Sequence, residues 1–328
     1  MSTQAEAPMA YRDAVNTALD EALSADKDVV FMGEDIANEG GVFKTNAGLP
    51  EKHGDRVINT PICENGFTGV AVGMAVMGMR PIVEIMFADF LPTAGDAIVN
   101  QMPKYRYMSG GQFSVPMTMR VISGAGGRFG TQHSATGESW YMAQPGMHVA
   151  LAGTPGAAYS ILKAAIASND PVIVHEHKLL YGKKGPVELG KAAEIGKASI
   201  ERQGADVTIV ASLLMVSRAL EAAETLAAEG IDAEVIDLRW VRPLDMETIG
   251  ASVAKTGRLV VAEEQWHEAG WGATVISRLA QSGANLKSPP ASASLPDDQL
   301  IPYSPPLEDA FIPGAESIAD VVRRTVKG

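Results

Sequence analysis

The segment Asn59-Thr-Pro-Ile-Cys-Glu-Asn-Gly66 places one carboxylate, Glu64, at the start of an apolar helix. Thr60 reads as the N-cap and Pro61 as a first-turn residue. A capping box would put its acid three residues after the cap, where Cys63 stands, so Glu64 falls one residue outside that register. Two readings stay open: an acid favoured by the helix macrodipole, or a working carboxyl. Gly66, Gly69, Gly73 and Gly78 give the helix a small face suited to burial against another backbone. A carboxylate at the mouth of such a helix is partly desolvated, its pKa raised towards neutrality, and so able to exchange a proton. Cys63 could serve as a nucleophile at a helix N-terminus, but a small buried thiol is the commoner use of such a residue.

Ser123-Gly-Ala-Gly-Gly-Arg-Phe-Gly130 follows a strand, yet the dinucleotide pattern counted from Gly124 needs glycine where Phe129 stands. The alternative is a loop that lets backbone approach a ligand or partner and leads into Thr131-Gln-His133. A lone loop histidine is more often structural, but ligands in such sheets sit at the carboxyl ends of strands. Phe90, in Phe87-Ala-Asp-Phe90, is either core or a stacking platform at a strand end. His175 and His177 flank Glu176 on one strand face; with no third ligand and no HExxH, a hydrogen-bonded pair is the better reading than a metal site. No phosphate-binding P-loop and no G-x-S-x-G occur. Gly-Asp-Gly with downstream asparagines, which holds a magnesium diphosphate, is also missing.

Positioning these residues falls to apolar strand-length runs alternating with helical periods, the pattern of a parallel sheet covered by helices. The first block reads as strands at 29–32, 82–85, 117–122 and 172–175, with helices near 9–23, 61–79, 91–107 and 155–167. After Gly182 a charged, Gly/Pro-broken stretch marks a boundary near residue 190. A second block follows, with strands at 207–212, 233–238 and 259–263 and helices at 216–228, 246–254 and 271–281. A Pro-rich extended arm then leads to a last helix at 317–326. The expected fold class is α/β, two doubly wound domains over 9–190 and 191–328 after a disordered tail at 1–8.

The 328 residues carry 27 Lys and Arg against 39 Asp and Glu, a formal net charge of −12, which argues against nucleic acid or anionic membrane as partner. One cysteine excludes an intramolecular disulfide framework and a thiolate zinc cluster. No apolar run reaches about 20 residues, and the N-terminus reads as neither signal nor transit peptide, so a cytoplasmic protein is expected.

A series of motifs then carries a resemblance: Gly33-Glu-Asp35, Gly41-Val-Phe43, Thr60-Pro-Ile-Cys-Glu64, Arg80-Pro81, Phe87-Ala-Asp-Phe90, Tyr107-Met-Ser-Gly-Gly111, Gln132-His-Ser134, Glu176-His-Lys178, Asp237-Leu-Arg239, Arg242-Pro-Leu244 and Glu263-Glu264. In this order they resemble the β subunit of thiamine-dependent 2-oxoacid dehydrogenases, whose members act on pyruvate, branched-chain 2-oxoacids or acetoin. The resemblance implies a thiamine pyrimidine-binding domain followed by a transketolase C-terminal-like domain. It also implies an α2β2 heterotetramer whose α subunit holds the diphosphate and Mg2+ of thiamine diphosphate, and a lipoyl acyltransferase as partner. Carried over, Glu64 matches the glutamate that hydrogen-bonds the aminopyrimidine ring. Phe90 matches the aromatic stacked on that ring, Ile62 an apolar contact beside it, and His133 the histidine implicated in acyl transfer to lipoamide. Some members bind a monovalent cation near the helix ending at Ala167 through an aspartate where this chain has Ser168, a departure that leaves a potassium site open. The motif details read closer to the pyruvate and acetoin members. A branched-chain enzyme and the C-terminal half of a split transketolase are the alternatives.

Overall fold

The structure, a computed structural model, describes residues 8–38 and 40–327. The expected tail at 1–8 therefore lies outside the described residues except for Pro8. Among the described residues the larger sheet has seven strands. In spatial order they are Trp240–Arg242, His148–Leu151, Val172–His177, Thr118–Ser123, Arg80–Ile85, Val29–Gly33 and Val57–Asn59. All of its pairings are parallel except the one made by Trp240–Arg242. Parallel strands are covered on both faces, which is why these runs are almost continuously apolar. Alternation by two divides their side chains between two cores. Phe31, Ile82 and Val174 join one core with the helices Tyr11–Ala25 and Pro155–Ala167. Met32, Val83 and Ile173 join the other with the helix Glu64–Val76.

The second sheet runs Ala291–Leu295, Leu259–Trp266, Val207–Ala211, Ala233–Asp237 and Ser199–Arg202, with only the last antiparallel. Its helices include Leu214–Ala228, Met246–Thr256, Trp271–Gln281 and Ala315–Lys327. Two of the expected helices, 155–167 and 271–281, have the bounds read from the sequence.

Three expectations are corrected. The Pro-rich arm is not simply extended: it contributes the edge strand Ala291–Leu295 and the helix Pro305–Phe311. The helix expected over 91–107 is broken into a 3-10 segment Ala88–Ala94, a π-helical turn Ala97–Gln101 and a helical turn Tyr105–Met108. Pro92 and Pro103 each lack the amide proton that a continuous helix needs. The helix at 61–79 begins only at Glu64 and ends at Val76, before Gly78 with φ +97°.

No helix among the described residues is long and apolar enough to cross a membrane.

Candidate active site

The strands Val29–Gly33 and Val57–Asn59 end side by side, and Thr60 N–H donates to the carbonyl of Gly33 at 2.9 Å. That bond keeps Thr60 with the sheet, so the N-cap of the following helix is Cys63, not Thr60. Glu64 is thereby the first helical residue, half-buried, where the helix dipole favours a negative charge. Cys63 is exposed, contrary to the buried thiol expected for it. Ile62 stands 85% exposed on the same turn.

Glu34, just past the Val29–Gly33 strand, comes to the same mouth. Burial raises its pKa, the neighbouring charges of Glu64 and Asp35 raise it further, and the Cys63 amide works in the opposite direction. Its Oε1 and the Oγ1 of Thr60 are buried without a partner. The site therefore presents two adjacent carboxyls and two unsatisfied polar oxygens at the carboxyl ends of parallel strands.

The 3-10 segment Ala88–Ala94 packs against the Glu64 helix on one side and the 3-10 turn Thr131–His133 on the other. It brings two of the expected residues together: the rings of Phe90 and His133 meet edge to face, centroids 5.4 Å apart. Phe87 lies closer still, 4.8 Å from His133, and also touches Phe90 and Phe129. Phe43 and then Tyr181 extend this cluster of rings into the core. Asp89 anchors the next turn by accepting the Ala135 amide at 3.1 Å, and burial raises its pKa.

The glycine loop answers the question left open at its motif: its backbone approaches the second half of the chain. Glu264 accepts the Ala125 amide, and Glu308 accepts those of Gly126 at 2.8 Å and Arg128 at 3.2 Å. Gly124 has φ +90°, and a Cβ there would meet His177 Nε2 at 1.9 Å, so only glycine fits. Thr131 Oγ1 donates to the Ile301 carbonyl at 3.0 Å, tying the His133 turn to the arm.

His175 and His177 are both buried. His175 Nδ1 faces Ser123 Oγ at 2.9 Å and His177 Nε2 faces Glu264 Oε2 at 3.1 Å. Among the described residues no group of three His, Cys, Asp or Glu side chains could hold a metal. Near the end of the Pro155–Ala167 helix, Arg80 donates to the carbonyls of Ile166 at 3.0 Å and Ser168 at 2.6 Å, and Ser168 Oγ donates to the Asp170 carbonyl.

The small face of the Glu64 helix is open. Nothing stands over Gly69 or Gly73, and Val70 and Met77 beside them are exposed. The backbone that this face was expected to meet is not within the described residues.

Residues 7–184 match the family model "Transketolase, pyrimidine binding domain", and residues 196–318 match "Transketolase, C-terminal domain". The chain is 43% identical to the β subunit of acetoin:2,6-dichlorophenolindophenol oxidoreductase of Cupriavidus necator, with 96% of each chain covered. It is 44% identical to a β subunit of the mitochondrial pyruvate dehydrogenase of Oryza sativa, covering 96% of this chain and 86% of that one. The chain belongs to this family of thiamine-dependent dehydrogenase β subunits. Among solved structures, an inactive β4 tetramer of a split-gene transketolase superposes with a TM-score of 0.78 at 26% identity, over 98% of this chain and 99% of that one. Like other members of this family of oxidoreductases, it is the β partner of an α subunit. Glu34, Phe87, Phe129 and Lys178 were not singled out as site residues; Glu34, Phe87 and Lys178 lie within the motifs Gly33-Glu-Asp35, Phe87-Ala-Asp-Phe90 and Glu176-His-Lys178, and Phe129 in the glycine loop.

Proposed function

We propose that this chain, in an α2β2 heterotetramer, supplies the proton-handling half of a site that decarboxylates pyruvate or cleaves acetoin and acylates a lipoyl group. The observation that carries the reading is the pairing of Glu64 and Glu34 at one strand-end mouth, with the Phe90–His133 ring pair on the neighbouring segment.

A thiamine pyrimidine is a flat ring with polar edges, and the donor set fits it. Phe90 and Ile62 offer apolar contact. Glu64 offers a carboxyl for a ring nitrogen, and Glu34 Oε1 and Thr60 Oγ1 are oxygens in want of a partner. Bound thiamine diphosphate would supply an electron sink for loss of carbon dioxide; its diphosphate and Mg2+ fall to the α subunit. Glu64 would face the pyrimidine edge as its hydrogen-bonding carboxyl, beside Glu34, whose own pKa is raised by burial and by the neighbouring charge of Glu64. With pyruvate the carbon–carboxylate bond breaks and carbon dioxide leaves, with acetoin the carbonyl–carbinol bond breaks and acetaldehyde leaves, and in both the lipoyl disulfide is reduced. One sulfur takes the acyl group and the other a proton. His133, half-buried between Phe87 and Phe90, is placed to hold that proton.

The open glycine face of the Glu64 helix supports a partner chain covering this mouth. Docking to a basic segment of a lipoyl acyltransferase suits the charge of −12, and a cytoplasmic location suits the single cysteine. A monovalent cation site has little to recommend it, because Ser168 supplies no carboxylate and Arg80 already donates to the local carbonyls.

The test is reconstitution with the α subunit and steady-state kinetics on pyruvate, acetoin and 3-methyl-2-oxobutanoate, beside an assay of ketol transfer between sugar phosphates. Pyruvate or acetoin turnover by the pair and none by the isolated chain is expected. Preferred turnover of the branched substrate selects the branched-chain enzyme, ketol transfer selects the split transketolase, and decarboxylation by the isolated chain overturns the reading.

A further inference from the structure

Lys178 is a buried cation at the site that the reading above does not use. It directly follows the Val172–His177 strand, and its side chain is buried and reaches the His133 turn. Its Nζ lies 5.0 Å from the centre of the Phe87 ring and 5.1 Å from that of Phe129, and the two rings touch each other, so the cation stands over an adjoining aromatic pair. The ammonium donates to the carbonyl of His133. The carboxylates around it are engaged elsewhere: Asp89 by the Ala135 amide, Glu264 by Ala125 and His177, and Glu308 by Gly126 and Arg128. Phe87 is thus shared, with Lys178 over it and the edge of His133 against it.

We propose that Lys178 is the positioning residue for His133. Seated over the adjoining rings of Phe87 and Phe129, its ammonium fixes the His133 carbonyl and so sets where the imidazole stands against Phe87 and Phe90. A buried ammonium directed at a single carbonyl is an unusual way to hold a loop, because desolvation opposes it; burial pushes Lys178 down to about 8 against the pull of Glu264, Asp89 and Glu308. A neutral side chain would fill the space with less penalty, so the charge is retained for the carbonyl it orders. The inference rests on the role given to His133 in acyl transfer.

The experiment compares Lys178→Met, Lys178→Arg and His133→Gln in the reconstituted α/β enzyme. Two readouts are used: lipoyl acylation, which needs the His133 proton, and substrate oxidation with 2,6-dichlorophenolindophenol as acceptor, which does not. Lys178→Met should lower lipoyl acylation by about 100-fold, the scale of a misplaced catalytic group, and dye-coupled oxidation far less. Lys178→Arg, which keeps a donor cation, should recover most of the loss. A crystal structure of the Lys178→Met enzyme should show the His133 ring displaced from Phe87 and Phe90. If Lys178→Met does not fold, Lys178→Gln carries the same comparison. Equal loss in both assays, or an undisplaced ring, overturns the proposal. If His133→Gln itself lowers both assays equally, the role of His133 falls instead.

Discussion

His177 Nε2 lies 3.1 Å from Glu264 Oε2, and this contact joins the larger sheet to the smaller one. The other oxygen of Glu264 takes the amide of Ala125, so one carboxylate ties a strand of each sheet to the glycine loop. Burial alone would raise its pKa, but His177, the Ala125 amide and Arg218 outweigh burial and hold it below the usual range.

A carboxyl with a depressed folded pKa contributes stability above its unfolded value, about 4.3, and loses it as pH falls through the folded one. Glu264→Gln should therefore lower stability at pH 7 by roughly 1.5–3 kcal/mol. The gap to the parent should narrow below about pH 4. Urea midpoints of the full chain at pH 7 and pH 3.5 measure it; a constant gap would contradict the assignment.

Arg120 is fully buried, bonded to Glu84 at 2.5 Å and to both oxygens of Glu176 at 2.7 and 2.9 Å. Arg120→Met strands two buried carboxylates and should destabilise the chain by about 3–5 kcal/mol. Adding Glu84→Gln and Glu176→Gln should restore much of the loss. Thermal melting of the three proteins decides it, and an unaltered melt for Arg120→Met would count against the triad.

Glu64→Gln in the α/β pair should reduce turnover by about 10²–10⁴-fold, the range of a lost proton-transfer group. Assembly, followed by size exclusion, should stay intact. Turnover near the parent level would remove Glu64 from the chemistry.

Burial pushes His175 down to about 3. Its unfolded value is about 6.5, so between those two values the unfolded chain binds the extra proton. Stability should then fall on acidification by up to about 1.4 kcal/mol per pH unit. His175→Gln should flatten that slope in denaturation curves taken from pH 7 to pH 4. An unchanged slope would mean that the imidazole is not held neutral.

The central parallel strands were legible because burial on both faces leaves little but Val, Ile, Leu, Phe and Met in runs such as Val29–Met32 and Val172–Val174, whereas the short parallel strands Val57–Asn59 and His148–Leu151 were not read. The edge strand Ala291–Leu295 was not, since Ala-Ser-Ala-Ser beside Pro289-Pro290 carries neither apolar mass nor β-branching. Trp240–Arg242 escaped because three residues show no period, and only the sheet edge it finds at His148–Leu151 makes it a strand. The position of Glu64 was readable and its capping was not: Thr60 has the right side chain for a cap, but the neighbouring strand claims its backbone. Of the site, Glu64, Phe90 and His133 came from motifs. Lys178 stood in the motif Glu176-His-Lys178, but its place in the site was not legible, because its meaning lies in rings contributed by two distant segments.

The exposed thiol of Cys63 stands one residue before Glu64 and is the sole cysteine of the chain. A maleimide dye would therefore label the natural sequence at one point, beside the chemistry, without mutagenesis. If the α subunit covers this mouth, as proposed above, assembly should shield that thiol, and its protection against labelling then titrates the interface without a substrate.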